Sequence, residues 1–194
     1  MKKLEYQIQM LSDWHIGSGL DSATDADALV LKNDLNQPYI PGKTMKGLIK
    51  DAVQDMVDFG QAEEEALIRI FGKLEKQVNP KVKDSQISFS GTAYFSNAIL
   101  SKADSVEINS NNLSGFLYRN ISSTAIKENG VALDKSLRVT QVTTPVLLVG
   151  CISELNKEDY KLLTEAIALV RKLGVNRNRG LGRCKISVFK NEKS

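Results

Sequence analysis

The apolar residues of this chain change their spacing in a fixed order, and that order is the strongest constraint on its fold. Leu4, Tyr6, Ile8 and Met10 recur at every second position, the signature of a half-buried strand. Gly17 and Gly19 break that pattern, residues 28–31 read as a short strand, and residues 33–42 as a turn followed by the loop Pro-Tyr-Ile-Pro-Gly. From Thr44 the spacing becomes helical: Met45, Leu48, Ile49, Ala52, Val53, Met56 and Val57 form a stripe at i, i+3, i+4 and i+7. Gly42 or Thr44 is positioned to cap the start of that helix.

A second helical run over 63–71 ends at Gly72, and the lysine-rich stretch up to Asp84 reads as a loop. Strand character returns over 87–99. Residues 100–135 are rich in Ser, Asn and Lys, lack core-forming periodicity and contain the turn signal Glu128-Asn129-Gly130, which predicts a projecting hairpin or insertion. Residues 137–152 read as a strand pair or one long strand. A helix then begins at Asn156, with Leu163, Ala166, Ile167, Val170 and Leu173 on one face and Gly174 closing it. Leu181, Cys184, Ile186 and Val188 mark a final strand. The predicted class is α+β, with the βαββαβ order of a ferredoxin-like (RRM-like) domain, in which two helices cover one face of an antiparallel sheet. That order names no function, because unrelated activities share it.

At 194 residues the chain is read as a single domain, 1–194, with 100–135 inserted in it. A content of 42% hydrophobic and 25% charged residues excludes a disordered or fibrous chain. No apolar run approaches the roughly 18 residues of a membrane span, and the first ten residues alternate instead of forming a signal sequence, so a cytoplasmic protein without membrane contact is expected. Cys151 and Cys184 are far apart, with no histidine near either; neither a zinc site nor a disulfide is expected, and both read as small buried residues.

The net charge of +3 is too mild to establish nucleic-acid binding, but its distribution is uneven. Arg171, Lys172, Arg177, Arg179, Arg183 and Lys185 follow one another with no acidic residue between them, and Lys43, Lys46 and Lys50 open the first helix. Two basic patches are thereby available to phosphates. In the first, Gly174, Gly180 and Gly182 permit close backbone approach, while Arg177, Arg179 and Arg183 offer planar donors that match phosphate oxygens. The same residue types also fit a helix C-cap followed by a turn with solvated arginines. In the second, Lys43, Thr44, Lys46 and Lys50 fit a phosphate seat at a helix start, or simply a solvated helix face.

His15, the only histidine, invites three readings: a general base for RNA cleavage, a packed or hydrogen-bonding residue beside Trp14 and Ile16 at a strand end, or a residue that contacts RNA together with the Gly17, Ser18 and Gly19 backbone. Asp21, Asp25, Asp27 and Asp34 cluster before the Pro-Tyr-Ile-Pro-Gly loop, where they either solvate a loop or gather a divalent cation.

The segment GVNRNRGLGRCKI, between the last helix and the last strand, resembles the carboxy-terminal glycine-rich loop of the RAMP superfamily, the RNA-binding proteins of CRISPR systems. Three further segments resemble that family in order. SDWHIGSG is similar to its His-Ile-Gly segment and PYIPGKTMKGLIKDA to its loop and helix start. YRNISSTAIKENGVALDKSLRVTQVTTP is similar to its arginine-bearing segment, with Arg119 as the arginine. The resemblance spans almost the whole chain and is greatest to the backbone-forming subunit of type III effector complexes, which serve antiviral defence.

It implies a subunit that binds guide RNA and assembles along it, with complementary target RNA, copies of itself and other RAMP subunits as partners. Residues 100–135 stand where the family carries a thumb-like hairpin that displaces a base. The resemblance also implies an endoribonuclease activity dependent on Mg²⁺ or Mn²⁺, through an aspartate that precedes the Pro-Tyr-Ile-Pro-Gly loop. Asp27 matches that position, and Asp25 is the choice if one residue is gapped. A purely architectural subunit without nuclease activity is the alternative. The chain is short for the family and has room for one ferredoxin-like unit, whereas the processing nucleases have two.

Overall fold

A computed structural model describes residues 1–19, 28–76 and 86–189. Its elements are β1 (Lys2–Met10), α1 (Gly42–Asp58), α2 (Glu64–Phe71), β2 (Gly72–Lys76), β3 (Gln86–Ser90), β4 (Tyr94–Phe95), β5 (Ile99–Leu100), α3 (Lys102–Ser110), β6 (Tyr118–Ser123), β7 (Arg138–Thr143), β8 (Leu147–Leu155), α4 (Lys157–Leu169) and β9 (Cys184–Val188). The alternation at the start does what it predicts: Leu4, Tyr6, Ile8 and Met10 are buried on one face of β1. On β1, β8 pairs antiparallel on one side and β9 antiparallel on the other. The short strands β4 and β5 both pair with β8, giving the order β4/β5, β8, β1, β9. This is the ferredoxin-like arrangement, with the second strand of the βαββαβ plan split in two.

Helices α1 and α4 cover the buried face. Met45, Ile49, Ala52, Val53 and Met56 of α1 and Leu163, Ala166 and Ile167 of α4 complete the core with the β1 residues. Each large side chain buried there contributes roughly 1.5–3 kcal/mol relative to exposure. Asn156 caps α4, its Oδ1 accepting from the Asp159 N–H at 2.7 Å. No described helix is long and apolar enough to cross a membrane.

Several expectations need correction. The first helix is capped by neither Gly42 nor Thr44; its N-cap is Pro41, and the Gly42 N–H donates to Asn97 Oδ1 at 2.8 Å. Residues 28–31 make isolated bridges to Gly17 and Thr140 rather than a strand. The segment after Gly72 begins as β2, paired with β3 from Gly72↔Ser90 to Lys76↔Gln86, and not as a loop. Residues 102–110 form the helix α3, which buries no side chain and therefore shows no apolar stripe. Of the 137–152 run, the first part is the hairpin arm β7 and the second is the central strand β8. The last helix stops at Leu169, before Gly174, because Lys172 bridges to Arg183 and Leu173 N–H donates to the Gly182 carbonyl at 2.9 Å. Cys184 is buried and its thiol is pushed up to about 11 by that burial, whereas Cys151 is only half-buried.

The projecting element is the hairpin β6–β7, paired from Tyr118↔Thr143 to Ser123↔Arg138. Its second arm lies beyond residue 135. Its base docks on the turn before the Pro-Tyr-Ile-Pro-Gly loop: the Tyr118 hydroxyl donates to Asn36 O at 2.9 Å, and the Lys32 ammonium sits 4.0 Å from the Tyr118 ring centroid. Gln37, buried, donates through Nε2 to Ser105 O at 2.9 Å and accepts from Ser105 Oγ at 2.7 Å, fixing α3 to the same turn.

Candidate nucleic-acid interface

Antiparallel pairing puts three connections at one end of the sheet: the one leaving Met10, the one reaching Leu147 from Leu100, and the one joining α4 to Cys184. The first and third are bonded into one unit. Gly182 N–H donates to Asp13 O at 2.7 Å, Val175 N–H to His15 O at 3.0 Å, Leu11 N–H to Arg183 O at 2.8 Å and Arg183 N–H to Ser12 Oγ at 3.0 Å. Gly174 (φ +78) and Gly182 (φ +72) have no alternative residue here. A Cβ on Gly174 would enter the His15 carbonyl, and one on Gly182 the Leu173 carbonyl.

Between these anchors the chain turns through Asn176 (φ 55) into a single 3₁₀ turn, Arg177–Arg179, closed by Gly180 (φ 90). Arg177, Arg179, Gly180 and Arg183 are all exposed. The cations therefore project from a backbone that hydrogen bonds hold on both sides. A C-cap reading of this glycine segment fails, since α4 ends five residues before Gly174.

His15 is 3% exposed. Its Nδ1–H donates to the Gln141 carbonyl at 2.6 Å, which leaves Nε2 as the unprotonated nitrogen of the neutral ring, 3.3 Å from where a Gly17 Cβ would stand. The ring ties the segment 13–17 to β7. Trp14 does the same through its backbone, with Trp14 N–H to Thr143 O at 3.0 Å and Thr143 N–H to Trp14 O at 2.8 Å. Gly17 and Gly19 remain exposed, and Ser18 is bonded to Leu29 O through N–H and Oγ at 3.0 and 3.3 Å.

Arg119 lies on β6, and its Nε and Nη2 both bind Asp13 Oδ2. Asp13 is 8% exposed and was not among the residues that the sequence singled out. It joins the hairpin to the glycine-rich loop, holding Arg119 with its side chain and Gly182 with its carbonyl. An acidic residue beside Trp14 in the SDWHIGSG segment is the only sequence trace of it, and its partner is more than a hundred residues away.

The second basic group is built differently. Lys43 and Lys50 are exposed on α1, and Thr44 and Lys46 are half-buried. The first N–H of that helix is occupied by Asn97, and α1 begins on the β4/β5 edge while the arginine loop enters the sheet on the opposite edge, at β9. The two groups share an end of the molecule but flank it.

Asp21, Asp25 and Asp27 lie outside the described residues, and Asp34 is exposed on the turn that follows them. Among the described residues no three His, Cys, Asp or Glu side chains gather as a metal site. The described residues thus supply no donor set for the Mg²⁺ or Mn²⁺ that the family resemblance implies, and no chemical step is derived through a cation.

A sequence model of the RAMP superfamily matches residues 7–185. No protein of curated function matches the sequence. Among solved structures, the chain superposes on a chain of the type III-B Cmr-beta complex bound to cognate target RNA, with a TM-score of 0.70 and 12% identity over 97% of both chains. A chain from the apo state of the type III-B Cmr-beta gives 0.66 and 11% identity, covering 97% of this chain and 98% of the other. At such identity these likenesses establish the fold.

Proposed function

The chain belongs to the RAMP superfamily, and from that membership we propose that it binds single-stranded RNA through the phosphates and lines up along it as a subunit of a type III CRISPR effector complex. The observation that carries this is the arginine turn at 177–179, held between two glycines that admit no side chain and anchored to the segment 11–17. The planar guanidinium fork is pre-organised, so less freedom is lost for each hydrogen bond it makes to a phosphate oxygen. Arg183 extends the track, and the exposed Gly17 and Gly19 backbone lies beside it, placed by buried His15 and Asp13.

In this reading His15 acts by positioning, and Arg119 contributes by joining the hairpin to the loop as well as by its charge. Guide RNA is the proposed strand, and the hairpin β6–β7 takes the part of the thumb. The two Cmr-beta structures, one of them with target RNA, support the effector-complex assignment. Cutting of target RNA through Asp27, or Asp25, is the additional step that the family offers. A reconstituted guide complex given complementary RNA with and without chelator tests it.

The binding claim is tested by titrating labelled single-stranded RNA of several sequences into the protein at increasing salt. Affinity that falls with salt and varies little with sequence is expected. Salt-independent affinity, or no binding to any RNA, overturns the proposal.

A further inference from the structure

A cavity of about 530 Å³ opens between the end of α4 and the start of β9. Leu11, Val170 and Ile186 give it an apolar lining, and Arg171, Lys172 and Lys185 a basic one; Arg183, which also lines it, is the residue that it shares with the RNA track. Phosphates gain nothing from the apolar lining, which fits a large hydrophobic side chain flanked by carboxylates.

The other end of this molecule presents that combination. From Asp51 to Ile68 the chain carries Asp51, Asp55, Asp58, Glu63, Glu64 and Glu65 and no Lys or Arg. Asp51, Asp55 and Asp58 stand at i, i+4 and i+7, one exposed stripe of α1. The helix is capped by Phe59, which is 81% exposed, and the three glutamates follow at the start of α2. This corner lies beside the start of α4: Arg69 of α2 forks onto Asp159, Nη2 to Oδ1 at 2.6 Å. The cavity lies at the end of α4, and its 13 residues span about 20 Å.

We infer that the cavity receives Phe59 and the surrounding carboxylates of a second copy of this chain. The two surfaces are complementary in charge and lie at opposite ends of the fold, so the contact is heterologous and repeats without using up either surface. The inference deepens the assembly half of the proposed function and rests on it, but it is read without RNA. The arginine turn at 177–179 stays free for phosphates.

The test is analytical ultracentrifugation of the full chain without RNA, over a range of concentrations and at low and high salt. Wild type associates, and association weakens with salt. Asp55→Lys/Asp58→Lys and Lys172→Glu/Lys185→Glu each weaken self-association by at least about tenfold, because like charges then face one another. An equimolar mixture of the two variants restores it, since each then offers what the other lacks. Phe59→Ala, which leaves every charge in place, also weakens association. Single-copy binding of a short RNA by Asp55→Lys/Asp58→Lys stays at the wild-type level, which separates failure of this contact from failure of RNA binding. A monomeric wild type, or a mixture that does not restore association, overturns the inference. So does loss of short-RNA binding in Lys172→Glu/Lys185→Glu with self-association unchanged, which assigns the cavity to RNA.

Discussion

The glycine-rich loop and the start of α1 each carry three cations, arginines in the first and lysines in the second, and they present them in opposite ways. In the loop, Arg177 and Arg179 sit on a turn whose flanks donate to Asp13, Ser12 and His15. On α1, Lys43, Lys46 and Lys50 ride a regular helix and present compact ammonium charges in place of planar guanidinium forks, and the helix's first N–H is taken by Asn97. Basic composition is thus a poor guide to a binding surface, because what distinguishes these regions is the shape of the donor group and the backbone that carries it.

The largest effect is expected when the loop's backbone is damaged and its charges are left in place. Gly182→Ala forces a side chain into a left-handed position against the Leu173 carbonyl, at a strain of about 1–3 kcal/mol. A lowered melting temperature together with the largest loss of RNA affinity is expected. Unchanged affinity in a folded variant would show that the loop's geometry is irrelevant. Replacing Arg177, Arg179 and Arg183 by alanine removes the charges and leaves the backbone. All sequences should then bind more weakly by a similar factor, with the melting temperature changed much less than in Gly182→Ala, since exposed surface substitutions change stability little.

Replacing Lys43, Lys46 and Lys50 by alanine should weaken binding much less than the arginine variant in the same titration. An equal or larger loss would put α1 at the centre of the surface. The smallest effect is expected of Asp27→Ala, which should leave RNA affinity unchanged. If the family's cutting is retained, that variant should abolish the metal-dependent cleavage of paired target in a guide complex. A defect that follows Asp25→Ala instead would move the assignment by two residues.

How much of this was legible in the sequence follows from the range of each interaction. The strand β1 and the helix α1 were legible because they bury one face each, and burial imposes a period on the apolar residues. Helix α3 was not, because KADSVEINS buries no side chain fully and, of its apolar ones, only Ile108 in part, and is held by its N-cap Ser101 and by the Gln37–Ser105 pair. Strand β2 escaped for a related reason, since it reads Gly-Lys-Leu-Glu-Lys, with a single apolar residue to signal an alternation, whereas its partner β3 was legible as strand. The arginines of the loop could be read from their spacing among glycines. Asp13 could not, since its meaning comes from Arg119 and Gly182, which only the folded chain brings to it.

The account stands most directly on the salt dependence of RNA binding, measured for wild type and for the variant with Arg177, Arg179 and Arg183 replaced by alanine. For a single strand the slope of log affinity against log salt changes by about 0.7 per phosphate contact. Wild type should give a steep negative slope, and the triple variant one shallower by about 2. Equal slopes for the two proteins would mean that these arginines touch no phosphate, and would contradict the claim that the locked glycine-rich loop is the RNA-binding surface.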